Sequence, residues 1–202
     1  MPESTITGQK ENEDGFYELC PLREGLLNWY PFQKESKILQ FSDGFGGLTK
    51  ILSSVSKHLT VIEPSKERVH CIAERCKDCM NIEFAVSSNE LPADVKYDYI
   101  VVEKAINTRT EIDQVLKKAN QLLRETGRLL FVCENRFGMK YWCGVPDTLD
   151  QIPFAGIRDY GRKNRMTRRD LIEVLNQIEW IKGWNLYYPF PDHKLAQAVY
   201  TD

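Results

Sequence analysis

An apolar run, Lys37–Phe41, empties into Ser42-Asp43-Gly44-Phe-Gly46-Gly47, and a second run, Leu59–Ile62, ends on Glu63. These residue types, in this order, suit a nucleoside ligand. Glycine has no Cβ, so Gly44 and Gly46 let the backbone turn tightly and approach a bound molecule. A carboxylate at the carboxyl end of the neighbouring strand can accept both hydroxyls of a ribose, and Glu63 is placed for that. A metal centre is a weaker reading of the six cysteines. Cys71, Cys76 and Cys79 have iron–sulfur-like spacing, but they fall in a helix-like stretch without a glycine-rich ligand loop. Free thiols in a reducing compartment are expected instead. The basic cluster Arg158, Arg162, Lys163, Arg165, Arg168 and Arg169 suits a solvated loop and helix start, with an anionic substrate as the alternative. His58 and His70 read as structural, the first opening a strand and the second riding a helix.

The elements that must position these groups alternate. Residues 1–14 are polar and expected to fray, and Phe16–Trp29 has the apolar spacing of a helical lead-in. Strands are expected at 37–41, 59–63, 81–86, 97–102 and 128–133, with helices at about 47–57, 66–77 and 111–124 between them. Tyr97–Val102 is continuously apolar, as in a strand buried on both faces. Ile112, Val115, Leu116, Ala119, Leu122 and Leu123 form a helical stripe. Strands alternating with helices imply parallel order and right-handed crossovers. Residues 134–165 form a segment rich in Gly, Pro and aromatics, of a length found in lids and binding elements. Thr167-Arg-Arg-Asp170 resembles a capping box and opens a helix at 168–178. Strands at 184–188 and 196–200, joined by a short link, form an antiparallel hairpin.

A dinucleotide site wants G-x-G-x-x-G, and Gly44-Phe-Gly46-Gly47-Leu-Thr49 lacks the third glycine at that spacing. The closing hairpin also departs from a nicotinamide-binding domain. The arrangement resembles the class I S-adenosylmethionine-dependent methyltransferases: an α/β, Rossmann-like fold with a mostly parallel seven-stranded sheet, helices on both faces and an antiparallel C-terminal hairpin. Leu22–Phe32, Glu134–Gly144 and Tyr187–Leu195 are similar to segments of bacterial methyltransferases encoded with cell-surface polysaccharide glycosyltransferases. Glu134-Asn-Arg-Phe-Gly138 is the most specific stretch.

The resemblance implies methyl transfer from S-adenosylmethionine to a glycan or its precursor, with glycosyltransferases of the same pathway as partners. By the same matching, Ser42, Asp43, Gly44 and Gly46 line the methionine and ribose side, and Glu63, Pro64 and Ser65 the adenosine side. Ser88, in the turn after the third strand, lies beside adenine, and Glu103 faces the sulfonium. Asn135, Arg136, Tyr141 and Trp142 form the acceptor side. Glu134 is the expected base for the acceptor hydroxyl, with His193 as the second candidate. The chain departs from the family pattern at Gln40, where an acid is usual, at Ser42, where a glycine is usual, at Ser87–Asn89 and at Glu103–Thr108. Those departures carry the alternative reading, a module that keeps the fold and binds partner proteins without turnover.

The chain of 202 residues suits one domain, 16–202, behind a tail at 1–15. A net charge of -2 gives no electrostatic reason for nucleic-acid binding. The apolar runs are strand-sized and no hydrophobic leader follows Met1, so a cytoplasmic protein without membrane insertion is expected.

Overall fold

The structure is a computed structural model that describes residues 16–92, 94–146, 151–154 and 166–202. The chain divides into two compact units. The first takes the residues through Lys104 with Leu122–Leu130 and Tyr187–Asp202; the second takes Ala105–Gln121 and Phe131–Leu186.

Among the described residues, seven strands form two sheets. β1 (Lys37–Phe41), β2 (His58–Ile62), β3 (Ile82–Ala85), β4 (Tyr97–Ile106) and β5 (Leu123–Cys133) form one sheet of order β3-β2-β1-β4-β5. β1 pairs parallel with both β2 and β4, and β2 pairs parallel with β3. Ile38, Leu59, Val61, Tyr99 and Val101 on one face of the sheet pack with Leu27, Leu48 and Leu52 in a core. The alternate residues Leu39, Thr60, Ile62 and Ile100 are buried as well, so both faces are covered.

Helices α1 (Thr49–Val55) and α2 (Lys66–Arg75) follow β1 and β2. Ser65 caps α2 as its position before a charged amphipathic run suggests, its side chain accepting the Arg68 N–H. Helices α3 (Arg109–Leu122), α4 (Met139–Trp142) and α5 (Arg168–Asn176) complete the set, and α5 opens with the expected Thr167/Asp170 capping box.

The expected elements need four corrections. The C-terminal hairpin, β6 (Tyr187–Phe190) and β7 (Ala198–Thr201), is antiparallel but forms a separate two-stranded sheet, so the large sheet has five strands and not seven. β6 is four residues long and carries Pro189, which lacks an N–H for a second ladder. The lead-in is not one helix. Residues 16–19 are helical, then Pro21–Leu26 forms a 3-10 turn, because Pro21 has no N–H to continue the ladder. Phe16, Leu19 and Leu22 are exposed rather than packed on the sheet. No loop separates α3 from β5. Gly127 stands inside the strand, where a Cβ would come within 3.0 Å of the Tyr97 carbonyl. Finally, β4 continues four residues past Val102, so Glu103 is a strand residue and not part of a turn.

Cys71 is exposed and Cys76 buried, on different faces as the helical spacing implies. The basic residues Arg158, Arg162, Lys163 and Arg165, and most of the middle of the 134–165 segment, lie outside the described residues. No helix among the described residues is long and apolar enough to cross a membrane.

Candidate functional site

The register of the central strands builds the site in the first unit. Phe41 pairs with Ile62 on one side and Val102 on the other. The next residue on each strand path, Ser42, Glu63 and Glu103, therefore stands at one level across three adjacent strands. Glu63 is 1% exposed and Glu103 4% exposed. Gln40, fully buried one pleat earlier on β1, donates its Nε2 to Thr49 Oγ1 at 3.0 Å and to Glu103 Oε1 at 2.5 Å. Glu63 Oε1 accepts the Ser65 N–H at 3.0 Å, and the Arg68 guanidinium lies 3.9 Å away.

The remaining oxygens of this set have no hydrogen-bond partner. Gln40 Oε1, Ser42 Oγ, Glu63 Oε2 and Glu103 Oε2 are all buried and unsatisfied. Leaving a buried acceptor unpaired costs about 1–3 kcal/mol, and more for a charged group. Four such atoms, on or just past β1, β2 and β4, face one chemical requirement. Each can accept from a hydroxyl or an ammonium, and two are carboxylate oxygens that favour positive charge. Burial, with the Glu18 charge next, pushes the Glu103 carboxyl up to about 7, against the opposing pull of Arg23 and Gln40.

The glycine turn lies beside these groups. Gly44 (φ 148°) and Gly46 (φ 73°) both occupy conformations that L side chains rarely adopt. A Cβ on Gly46 would meet Thr49 Oγ1 and Ile72 within 3 Å. Over the turn sits a residue that the sequence pattern did not single out. Glu18 Oε2 accepts the Gly47 N–H at 2.8 Å, and Glu18 Oε1 lies 3.3 Å from Arg23 Nε. Arg23 is buried and donates its Nη1 to the His193 carbonyl at 2.5 Å. The readable signal was an acid and a base, Glu18 and Arg23, five residues apart in a lead-in whose other charge is Glu24.

The other expected first-unit residues have varied settings. Asp43 and Pro64 are exposed. Ser65 is engaged in capping α2 and donates its hydroxyl to Glu67. Ser88 starts a 3-10 turn, half-buried, and Glu90 in that turn accepts the Val86 N–H at 2.9 Å. His193 meets Arg23 through its backbone carbonyl.

The second unit holds the other group. Glu134 follows β5, its N–H donating to the Ile106 carbonyl at 2.8 Å. Lys140 Nζ lies 2.7 Å from Glu134 Oε1, and the Tyr141 hydroxyl donates to Oε2 at 2.9 Å. α4 supplies both partners, because it turns back six and seven residues after Glu134. Asn135 Oδ1 accepts the Phe137 N–H at 3.0 Å, and the Arg136 guanidinium stands over the Phe137 ring. Tyr141 is buried, whereas Trp142 is exposed and donates its Nε1 to the Phe137 carbonyl. Next to Glu134, burial pushes the Cys133 thiol up to about 12, with the Glu134 charge adding to it. Glu134 and His193, the two expected bases, belong to different units.

Residues 39–131 match the family model described as methyltransferase domain. The match takes in a little under half of the chain. It contains Gln40, Ser42, the glycine turn, Glu63 and Glu103, while Glu18, Arg23, Glu134 and His193 lie outside the match. Two solved structures share the fold. DhpI in complex with SAH is 17% identical, with a TM-score of 0.52 over 78% of this chain and 72% of that one. Phosphoethanolamine N-methyltransferase 1 of Haemonchus contortus, in complex with phosphoethanolamine and S-adenosylhomocysteine, is also 17% identical, with a TM-score of 0.50. That alignment takes in 58% of this chain but only 26% of the Haemonchus enzyme, so the chain spans about a quarter of its length. No curated protein matches the chain. Likeness at this identity is likeness of fold, and any chemistry must be argued from this chain's own residues.

Proposed function

We propose that the chain is an S-adenosylmethionine-dependent methyltransferase whose first unit binds the cofactor. The observation that carries the reading is the group of four buried, unpartnered acceptors on or just past β1, β2 and β4. S-adenosylmethionine offers a ribose diol, an ammonium and a sulfonium, which match acceptors and carboxylates of this kind. Glu63 Oε2 is assigned to the ribose hydroxyls, with Ser42 beside it. Glu103 Oε2 and Gln40 Oε1 are assigned to the cationic end. When bound, the cofactor supplies an electrophilic methyl group. The protein's part is then alignment of an acceptor and removal of its proton.

Glu134, Asn135, Arg136 and Trp142 are assigned to the acceptor. Glu134 has both oxygens engaged by Lys140 and Tyr141, a setting that holds a carboxylate in place. Glu134 is assigned as the base that takes the acceptor hydroxyl's proton, with Lys140 and Tyr141 holding the carboxylate in position. The similarity of Leu22–Phe32, Glu134–Gly144 and Tyr187–Leu195 to methyltransferases of surface-polysaccharide pathways supports a glycan or glycan-precursor acceptor.

Isothermal calorimetry with S-adenosylhomocysteine tests the cofactor assignment. Saturable binding that Glu63→Ala weakens at least tenfold is expected. Absence of heat at millimolar ligand, with the fold intact by circular dichroism, would overturn it in favour of a partner-binding module. Glu18 lying on the glycine turn is the observation that favours that second reading.

A further inference from the structure

Glu18 deserves a chemical question of its own: why does a buried turn in a binding site hold the chain's own carboxylate? The partners are specific. One oxygen sits on the Gly47 N–H and the other beside the Arg23 guanidinium. The space it fills exists only because two neighbours are glycines. A Cβ on Gly44 would stand 3.1 Å from Glu18 Cδ, and one on Gly47 would stand 2.8 Å from Glu18 Oε2. Next to it, Glu103 Oε2 and Gln40 Oε1 are buried acceptors without partners. The first unit thus contains a carboxylate receptor adjoining an ammonium receptor, the pattern that reads an α-amino acid.

The two members of the Glu18–Arg23 pair are anchored differently. Arg23 is fixed in the 3-10 turn and reaches His193, and Gly25 of the same turn fits so tightly against the Ala196 carbonyl that no side chain is admitted. Glu18 belongs to the short helical stretch 16–19, whose Phe16 and Leu19 are 68% and 60% exposed. Glu18 is buried with its backbone against Gly47, so the exchange needs only a rotation of its side chain, with Arg23 staying in place.

We propose that Arg23 and the Gly47 amide form the carboxylate-reading end of the cofactor site, and that Glu18 is a displaceable occupant of it. This rests on the cofactor assignment above and extends it to the amino-acid end of the ligand. Exchange of one carboxylate for another keeps the charge on Arg23 balanced. Glu18 then acts as a built-in competitor that weakens every ligand bearing that carboxylate and leaves others untouched.

Two probes separate the ends of the ligand: S-adenosylhomocysteine, which carries the amino acid, and 5′-methylthioadenosine, which lacks it. Calorimetry on Glu18→Gln should show S-adenosylhomocysteine binding about tenfold tighter than wild type, with 5′-methylthioadenosine unchanged. Arg23→Gln should weaken only S-adenosylhomocysteine. In the wild type, the Gly47 amide resonance should move with S-adenosylhomocysteine and stay put with 5′-methylthioadenosine, a readout that needs no variant to fold. If Glu18→Gln weakens both probes equally, or the Gly47 amide ignores the difference between them, the displacement idea is wrong while the cofactor reading stands. If neither probe binds to wild type or to Glu18→Gln, the cofactor reading itself falls.

Discussion

Glu103 is the residue where burial and charge meet most sharply. Its folded carboxyl titrates near 7 against an ordinary value of 4.5, chiefly because it is buried. A raised acid favours the fold while it is protonated. That contribution is complete below about pH 4.5 and is lost as the pH rises through 7. A shift of this size corresponds to about 3 kcal/mol. Glu103→Gln cannot ionise and keeps an amide that can bond Gln40. Its urea-unfolding free energy should match wild type near pH 4 and exceed it by up to about 3 kcal/mol at pH 8. A stability gap that does not change with pH would refute the titration. The same residue explains Gln40. A second acid there would face Glu103 across 2.5 Å, so the amide is what permits a carboxylate on β4. Sequence reading registered Gln40 as a lost charge. It could not register the relocation, because the partner is 63 positions away.

At the scale of elements, the open question from sequence was where strands begin and end. The alternating pattern located every strand of the five-stranded sheet and the caps at Ser65 and Thr167, since both are local signals. It failed at Gly127, which the expected helix 111–124 and strand 128–133 left between them although it stands inside β5. There the glycine answers to Tyr97 on the neighbouring strand, a contact that no local pattern encodes. Gly127→Ala should therefore cost about 1–3 kcal/mol, because a methyl group must push against the Tyr97 and Arg124 carbonyls. A urea midpoint equal to wild type would show that β5 has room to move. The hairpin was legible as antiparallel, but its separation from the sheet hangs on Pro189 and on strand length, which fix what β6 cannot do rather than where it goes.

For the whole molecule, cofactor binding should appear as stability. A ligand at one hundred times its dissociation constant adds about 2.7 kcal/mol to the folded state. For a chain of this size, that corresponds to a rise of roughly 5–10 °C in Tm. Differential scanning calorimetry with S-adenosylhomocysteine checks it, and an unchanged Tm at millimolar ligand would count against the cofactor assignment. Of the candidate site, Gly44, Gly46 and Glu63 were picked out by residue type and order and Glu103 by the resemblance, whereas Glu18 and Arg23 joined them only through the folded chain.

The contact between Arg23 and the His193 carbonyl joins residues 170 positions apart. Chains are synthesised from the N-terminus, and domains begin to organise as they emerge. All five strands of the large sheet are complete by Cys133. Arg23 therefore leaves the ribosome well before the carbonyl that it bonds. The glycine turn is thus made long before its cover is fastened, and a nascent chain stalled short of His193 would carry the sheet with an unsecured site.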